Sequence, residues 1–232
     1  MNKIESFKNR LAKRAVELTA GGFRPANSID ESWIGRVYLY KEDEEIPVDN
    51  QGALMLPLFQ LCLSTLPFVP TALAGVKVLT VFISRDWPMD LTPNGENWLI
   101  REYGQTDLLR IKDLVNQDFW LKPFPLKPQT IEADYPVLDD DEMPGEIAEE
   151  FLGLEASGEI DEYYRVVENH YGHKIGGYPS FCQPAVDFGN DYEFVMQIAS
   201  DEKAHLNIVD SGTIFLAKNI KTGKWKYYCD FF

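Results

Sequence analysis

A chain of 232 residues, 45% hydrophobic and 25% charged, has the size and composition of a globular domain that can bury its own core. Its 22 basic and 37 acidic residues leave a net charge of -15, the opposite of the basic footprint that phosphate backbones require, so no nucleic-acid partner is expected. Three cysteines, Cys62, Cys182 and Cys229, form no close-spaced pair, so free thiols in a reducing cytoplasm are expected rather than a zinc site or disulfide framework.

The first predicted element is a helix from Ile4 to Leu18, with Ile4, Phe7, Leu11, Ala15 and Leu18 on one face and Gly21-Gly22 at its end. Residues 1–22 are therefore read as an N-terminal helical unit. Lys3, Lys8, Arg10, Lys13 and Arg14 interrupt any signal-peptide core. Strands are expected over Trp33–Tyr40, Leu54–Leu63, Val76–Ile83 and Trp98–Tyr103, within a first half spanning 32–118. Gly52 to Val76 is 25 residues without a charge, yet Pro57, Pro67 and Pro70 make it poor material for a membrane helix, and no membrane partner is expected.

Residues 119–170 read as a connection. Pro123, Pro125, Pro128, Pro136 and Pro144 break its first part, and Glu146–Leu154 and Glu159–Tyr171 read as helices. Between Glu132 and Glu168 lie fourteen acids and one base, Arg165, for a charge of -13. The run Asp139-Asp140-Asp141-Glu142 fails the calcium-loop code, because counting from Asp139 places Pro144 where a glycine must stand. The second half, 171–232, carries strands at Tyr192–Ala199, Thr213–Lys218 and Trp225–Cys229.

An internal repeat links the halves. Gln60 and Gln197 are each followed fifteen residues later by a glycine, Gly75 and Gly212, and then by an apolar strand. The offset is 137 residues at both landmarks, which points to duplication. The second copy places Asp201, Glu202, Lys203 and His205 where the first has its apolar connection, a further reason against a membrane span.

His173-Lys174-Ile175-Gly176-Gly177 and the following Cys182 invite a thiol–histidine reading, with His170, His173 and Asp187 as partners. The flanks of Cys182 match no nucleophile signature, and a buried, inert cysteine is expected beside a turn that His173 satisfies. His205 has no metal partner at ligand spacing, and no cofactor-binding motif occurs. Asp210-Ser211-Gly212-Thr213 reads as a turn whose carboxylate bonds its own backbone. Gln197, inside a strand, can either pair with that turn or project into a cleft, and a structural tie to the turn is expected.

The order HKIGGYP…Q, FVMQIASD, VDSGTIF resembles the second half of the YwqG-like family, a bacterial domain of unknown function. The matching positions are His173, Gly176, Gly177, Pro179 and Gln183, then Gln197, Ser200 and Asp201, then Asp210 and Gly212. Gln60 and Gly75 fit the first half, where Ile34-Gly35-Arg36 replaces the family's glycine pair and Val209 replaces a glycine in the second. The order of predicted elements reads as a single sheet-rich α+β domain with an N-terminal helix and a helical acidic connection. The resemblance spans roughly Ser32 to Phe232 and implies two intertwined, pseudo-symmetric β-rich halves. It implies no reaction.

The functional expectation is a non-enzymatic module that binds a basic protein partner, as an immunity or antitoxin-type protein does with a toxin or effector. Its candidate partner-binding residues are Asp139, Asp140, Asp141, Glu142, Glu146, Glu149 and Glu150. The alternative is a small-ligand binder or hydrolase-like enzyme with a cleft between the halves, near Gln60, Gln197 and the glycine turns.

Overall fold

The computed structural model describes residues 3–87, 92–137, 143 and 145–232. Asp139, Asp140, Asp141 and Glu142 lie outside the described residues. Helix α1 (Lys3–Leu11) leads directly into strand β1 (Lys13–Ala20). There follow β2 (Trp33–Ile34), β3 (Leu39–Tyr40), β4 (Leu56–Cys62), β5 (Val76–Ile83), β6 (Trp98–Gly104), β7 (Arg110–Ile111) and β8 (Phe124–Asp134). Helices α2 (Gly145–Ala156) and α3 (Tyr163–Val166) precede β9 (Lys174–Gly176), β10 (Tyr192–Ala199), β11 (Thr213–Asn219) and β12 (Trp225–Asp230).

Among the described residues ten strands form one antiparallel sheet, in the order β12-β11-β10-β9-β1-β8-β2-β4-β5-β6, while β3 and β7 pair separately. The sheet curls until its two edges almost meet. Trp98 of β6 stacks on Tyr227 of β12 with ring centres 5.6 Å apart. Glu102 of β6 accepts from the Trp225 indole at 2.8 Å and pairs with Lys218 of β11 at 2.7 Å. Near-closure of this kind leaves little sheet edge open to unwanted pairing. The enclosed core draws on both ends of the sheet, with Leu58, Leu61 and Leu79 packed in one cluster with Val195, Ile198 and Ile214.

Four expectations need correction. The strand expected over Trp33–Tyr40 is two two-residue strands, β2 and β3, which belong to different sheets and are parted by Gly35 at φ +69°. The helix predicted to run to Leu18 stops at Leu11, and the segment after it is a strand. Val16, Leu18 and Ala20 are buried while Glu17 and Thr19 turn outward, the period of two that a strand imposes. Pairing with β8 on one side and β9 on the other overrides the helical spacing. The stretch read as a proline-broken connection contains the longest strand, β8. Pro128 is tolerated because its partner Leu18 donates the other way, to the His173 carbonyl at 2.9 Å, so this pair needs no ladder bond. Finally, the helix expected over Glu159–Tyr171 shrinks to the four residues of α3.

The N-terminal bases explain part of the acidic segment. Phe7 and Leu11 of α1 pack with Phe151 of α2 and Tyr163 of α3, Phe7 and Phe151 at 5.2 Å. Around that contact Lys3 pairs with Glu159 at 2.7 Å, Arg10 with Glu150, and Arg14 with Glu132 at 3.1 Å. These exposed pairs are worth little individually, but they neutralise acids that the sequence alone leaves unopposed.

Candidate functional site

The polar residues singled out in the sequence converge on two places where a short strand is pinned to a long one. In the first, Trp33 of β2 lies opposite Gln60 of β4. The Gln60 amide oxygen accepts from the backbone amides of Tyr38 and Leu39, both at 3.1 Å, and its nitrogen donates to the Glu31 carbonyl at 3.0 Å. The Cys62 amide donates to the Ser32 hydroxyl at 3.0 Å. In the second, Lys174 of β9 lies opposite Gln197 of β10. The Gln197 oxygen accepts from the Ser180 amide at 3.0 Å, and its nitrogen donates to the Gly172 carbonyl at 3.0 Å. The Ala199 amide donates to Nδ1 of His173 at 3.0 Å.

Both glutamines are fully buried and are consumed by backbone groups, so neither projects into a cleft. Gln197 ties the loop around the glycine pair rather than the 210–213 turn. That turn is carried by Asn207, whose side chain accepts from the Ser211 amide at 3.1 Å, whereas Asp210 is exposed. Gly212 is enforced by space, since a Cβ there would sit 2.1 Å from the Asp230 carbonyl.

His173 is held at both nitrogens. Because Nδ1 accepts the Ala199 amide, the ring proton belongs on Nε2, which faces Asp201 at 3.4 Å. That contact holds the Asp201 carboxyl below the usual carboxylate range, with further help from the Ala204 amide. A histidine occupied in this way cannot also activate Cys182.

Cys182 itself is governed by Asp230. The Asp230 carboxylate accepts from the Cys182 amide at 2.9 Å and the Gln183 amide at 3.3 Å, while the Gln183 side chain donates to the Phe231 carbonyl at 2.5 Å. Burial, then the neighbouring Asp230 charge, push the Cys182 thiol up to about 11, and burial raises Asp230 as well. At neutral pH the sulfur is a thiol, which is the unreactive form. Burial raises Cys62 to about 12 and Cys229 to about 11.

One feature of the second place has no signal in the sequence pattern. Lys174 is buried and bonds Asp134 at 2.8 Å and the Ser180 hydroxyl at 2.9 Å, and the Tyr178 amide also donates to Asp134 at 2.8 Å. Gly177 is required beside this pair, because it turns through φ +72° and a Cβ would lie 2.1 Å from the Asp134 carboxylate. Gly176 is packed almost as closely, against Phe68 and the Arg14 carbonyl, and Pro179 is buried. The lysine precedes an apolar strand residue, and its acid lies forty positions earlier in a stretch read as a connection. Only the pairing of β8 with β1 and β1 with β9 brings them together.

A hollow of about 560 Å³ opens beside Gly176 and Gly177, between Lys13, Arg14, Tyr192 and the β4–β5 connection at Phe68 and Thr71. Gln197, Asp210 and Cys182 do not line it. Among the described residues no three His, Cys, Asp or Glu side chains gather as a metal site would require, and no helix is long and apolar enough to cross a membrane.

Fold and site together define a sheet-rich domain, a nearly closed antiparallel sheet whose conspicuous polar residues are spent on holding its own loops. Residues 33–219 match the family described as a domain of unknown function, DUF1963, and the chain belongs to that family. No curated protein matches the chain.

Proposed function

We propose that this protein is a non-enzymatic binding module for a basic protein partner, of the immunity or antitoxin type, acting in the bacterial cytoplasm, and that it belongs with the YwqG-like members of its family. The observation that carries the reading is the outer face of α2. Glu146, Glu149 and Glu150 are exposed there beside Leu152, which is also exposed, and of the three only Glu150 is held by a base among the described residues. Carboxylates next to an apolar side chain favour a cationic surface and speed its approach. The confinement of His173, Gln60, Gln197 and the protonated Cys182 to structural duties supports the non-enzymatic part.

The domain is further read as two pseudo-symmetric halves. Supporting this, the 137-residue offset joining Gln60 to Gln197 also joins the strand irregularities of β4, between Pro57 and Phe59, and β10, between Phe194 and Met196. Ser32 and His173 accept the amide two residues beyond each glutamine. A small-ligand site in the 560 Å³ hollow is the second reading, favoured by its place between the halves.

The test is protection. Each basic effector encoded beside the gene is expressed with this protein in a growth assay. Rescue by the wild type, lost in the Glu146→Lys, Glu149→Lys variant, is the expected outcome. If no neighbouring effector is neutralised, or the variant rescues equally well, the reading is wrong.

A further inference from the structure

Two hollows adjoin between α1, α3 and the loop after the glycine pair. The first, about 810 Å³, is lined by Tyr135, Tyr164 and Tyr171 with Lys8, Arg165 and Glu168. The second, about 470 Å³, shares Tyr164 and Tyr171 and continues to Val137, Phe181 and Pro184. Tyr164 is 56% exposed and Tyr171 51%, which is unusual for large rings that line a concave wall. Large, rigid and amphipathic, tyrosine concentrates binding energy at protein interfaces.

The charges select the occupant. Arg165 is engaged by Asp161 at 3.3 Å and Glu162 at 3.6 Å. Lys8 lies over the Tyr135 ring at 5.8 Å, and the Glu5 carboxylate is close enough to raise the Tyr135 hydroxyl, after burial. With Glu168 on the wall, the groove and its rim therefore carry four carboxylates, Glu5, Asp161, Glu162 and Glu168, against two cations. Exposed tyrosine faces attract cations and stack best with a planar one, so the groove favours guanidinium over ammonium.

We infer that this tyrosine groove is the anchor for an extended, arginine-bearing segment of the partner, with guanidinium groups laid on Tyr164 and Tyr171 and neutralised by the surrounding carboxylates. The inference rests on the acidic-surface reading above and names the place where that surface grips.

Fluorescein-labelled deca-arginine, deca-lysine and deca-glutamate peptides, followed by anisotropy at about 0.15 M salt, where diffuse attraction is screened, test it. Deca-arginine is expected to bind roughly fivefold more tightly than deca-lysine, and deca-glutamate not at all. Tyr164→Leu with Tyr171→Leu, which keeps an apolar side chain at each exposed position, removes the arginine preference. Glu146→Gln with Glu149→Gln weakens both cationic peptides together and leaves the preference unchanged. Equal binding of the two cationic peptides by the wild type, or a preference that survives loss of both tyrosines, overturns the groove while leaving the acidic surface standing. Unchanged affinity in the glutamine variant overturns the α2 surface instead.

Discussion

The strand crossings at Gln60 and Gln197 solve one backbone problem with different side chains. Each glutamine satisfies the loops flanking a very short strand, and each is helped by the residue just before that strand, Ser32 or His173. Opposite Gln60 stands Trp33, which is filled in by aromatic packing, with the Tyr38 ring at 6.0 Å and the Arg36 guanidinium at 4.9 Å. Opposite Gln197 stands Lys174, which must be neutralised by Asp134. The shared element is the hydrogen-bonded tie to main chain, where geometry allows few substitutes. The facing position is free to vary, provided that its volume is filled and its charge paired.

The buried pair gives the largest expected contrast. Lys174→Met strands the Asp134 carboxylate in the core and is expected to cost about 3–5 kcal/mol in urea unfolding. Adding Asp134→Asn, which keeps an acceptor for the Tyr178 amide, should recover at least about 1 kcal/mol of that loss. A single substitution that proves harmless would mean that the second crossing does not depend on its ion pair.

Gly75 and Gly212 offer a sharper comparison. Gly212→Ala drives a Cβ into the Asp230 carbonyl and should cost about 3 kcal/mol. Gly75→Ala has open space and only its φ of +83° to overcome, about 1 kcal/mol. Equal losses in thermal unfolding would show that the crowding at Gly212 is relieved as cheaply as the strained φ at Gly75.

The smallest effect separates Ser32 from His173. The folded-state carboxyl of Asp201 is depressed by His173, so its stabilisation is present above the unfolded value near 4 and disappears as pH falls through the folded value. His173→Ser, which imitates the first crossing, should remove this contribution. The gap between wild type and variant is then expected to narrow from pH 5 towards pH 3 in acid titrations of stability, and a gap independent of pH would contradict the assignment.

The strands at Val76–Ile83 and Tyr192–Ala199 were legible because apolar runs and turn residues bound them, and the spacing of the glutamines and glycines alone marked both crossings. Local patterning failed at β1, where a helical spacing of Ile4, Phe7, Leu11, Ala15 and Leu18 is also compatible with half a helix followed by a strand. It failed again at β8, since proline counts against a strand unless its missing donor faces away from the ladder. Asp134, Lys174 and Asp230 escaped notice because a lone charge in a chain is ordinarily a surface charge. By itself the sequence determined the acidity, the sheet-rich class and the 137-residue spacing of the glutamines and glycines, because composition and spacing are properties of the chain. Tertiary structure alone decided which acids Lys3, Arg10 and Arg14 neutralise, that Asp134 meets Lys174, and that Cys182 stays a thiol against Asp230. Each depends on groups far apart in the chain whose charges and volumes act only over a few ångströms.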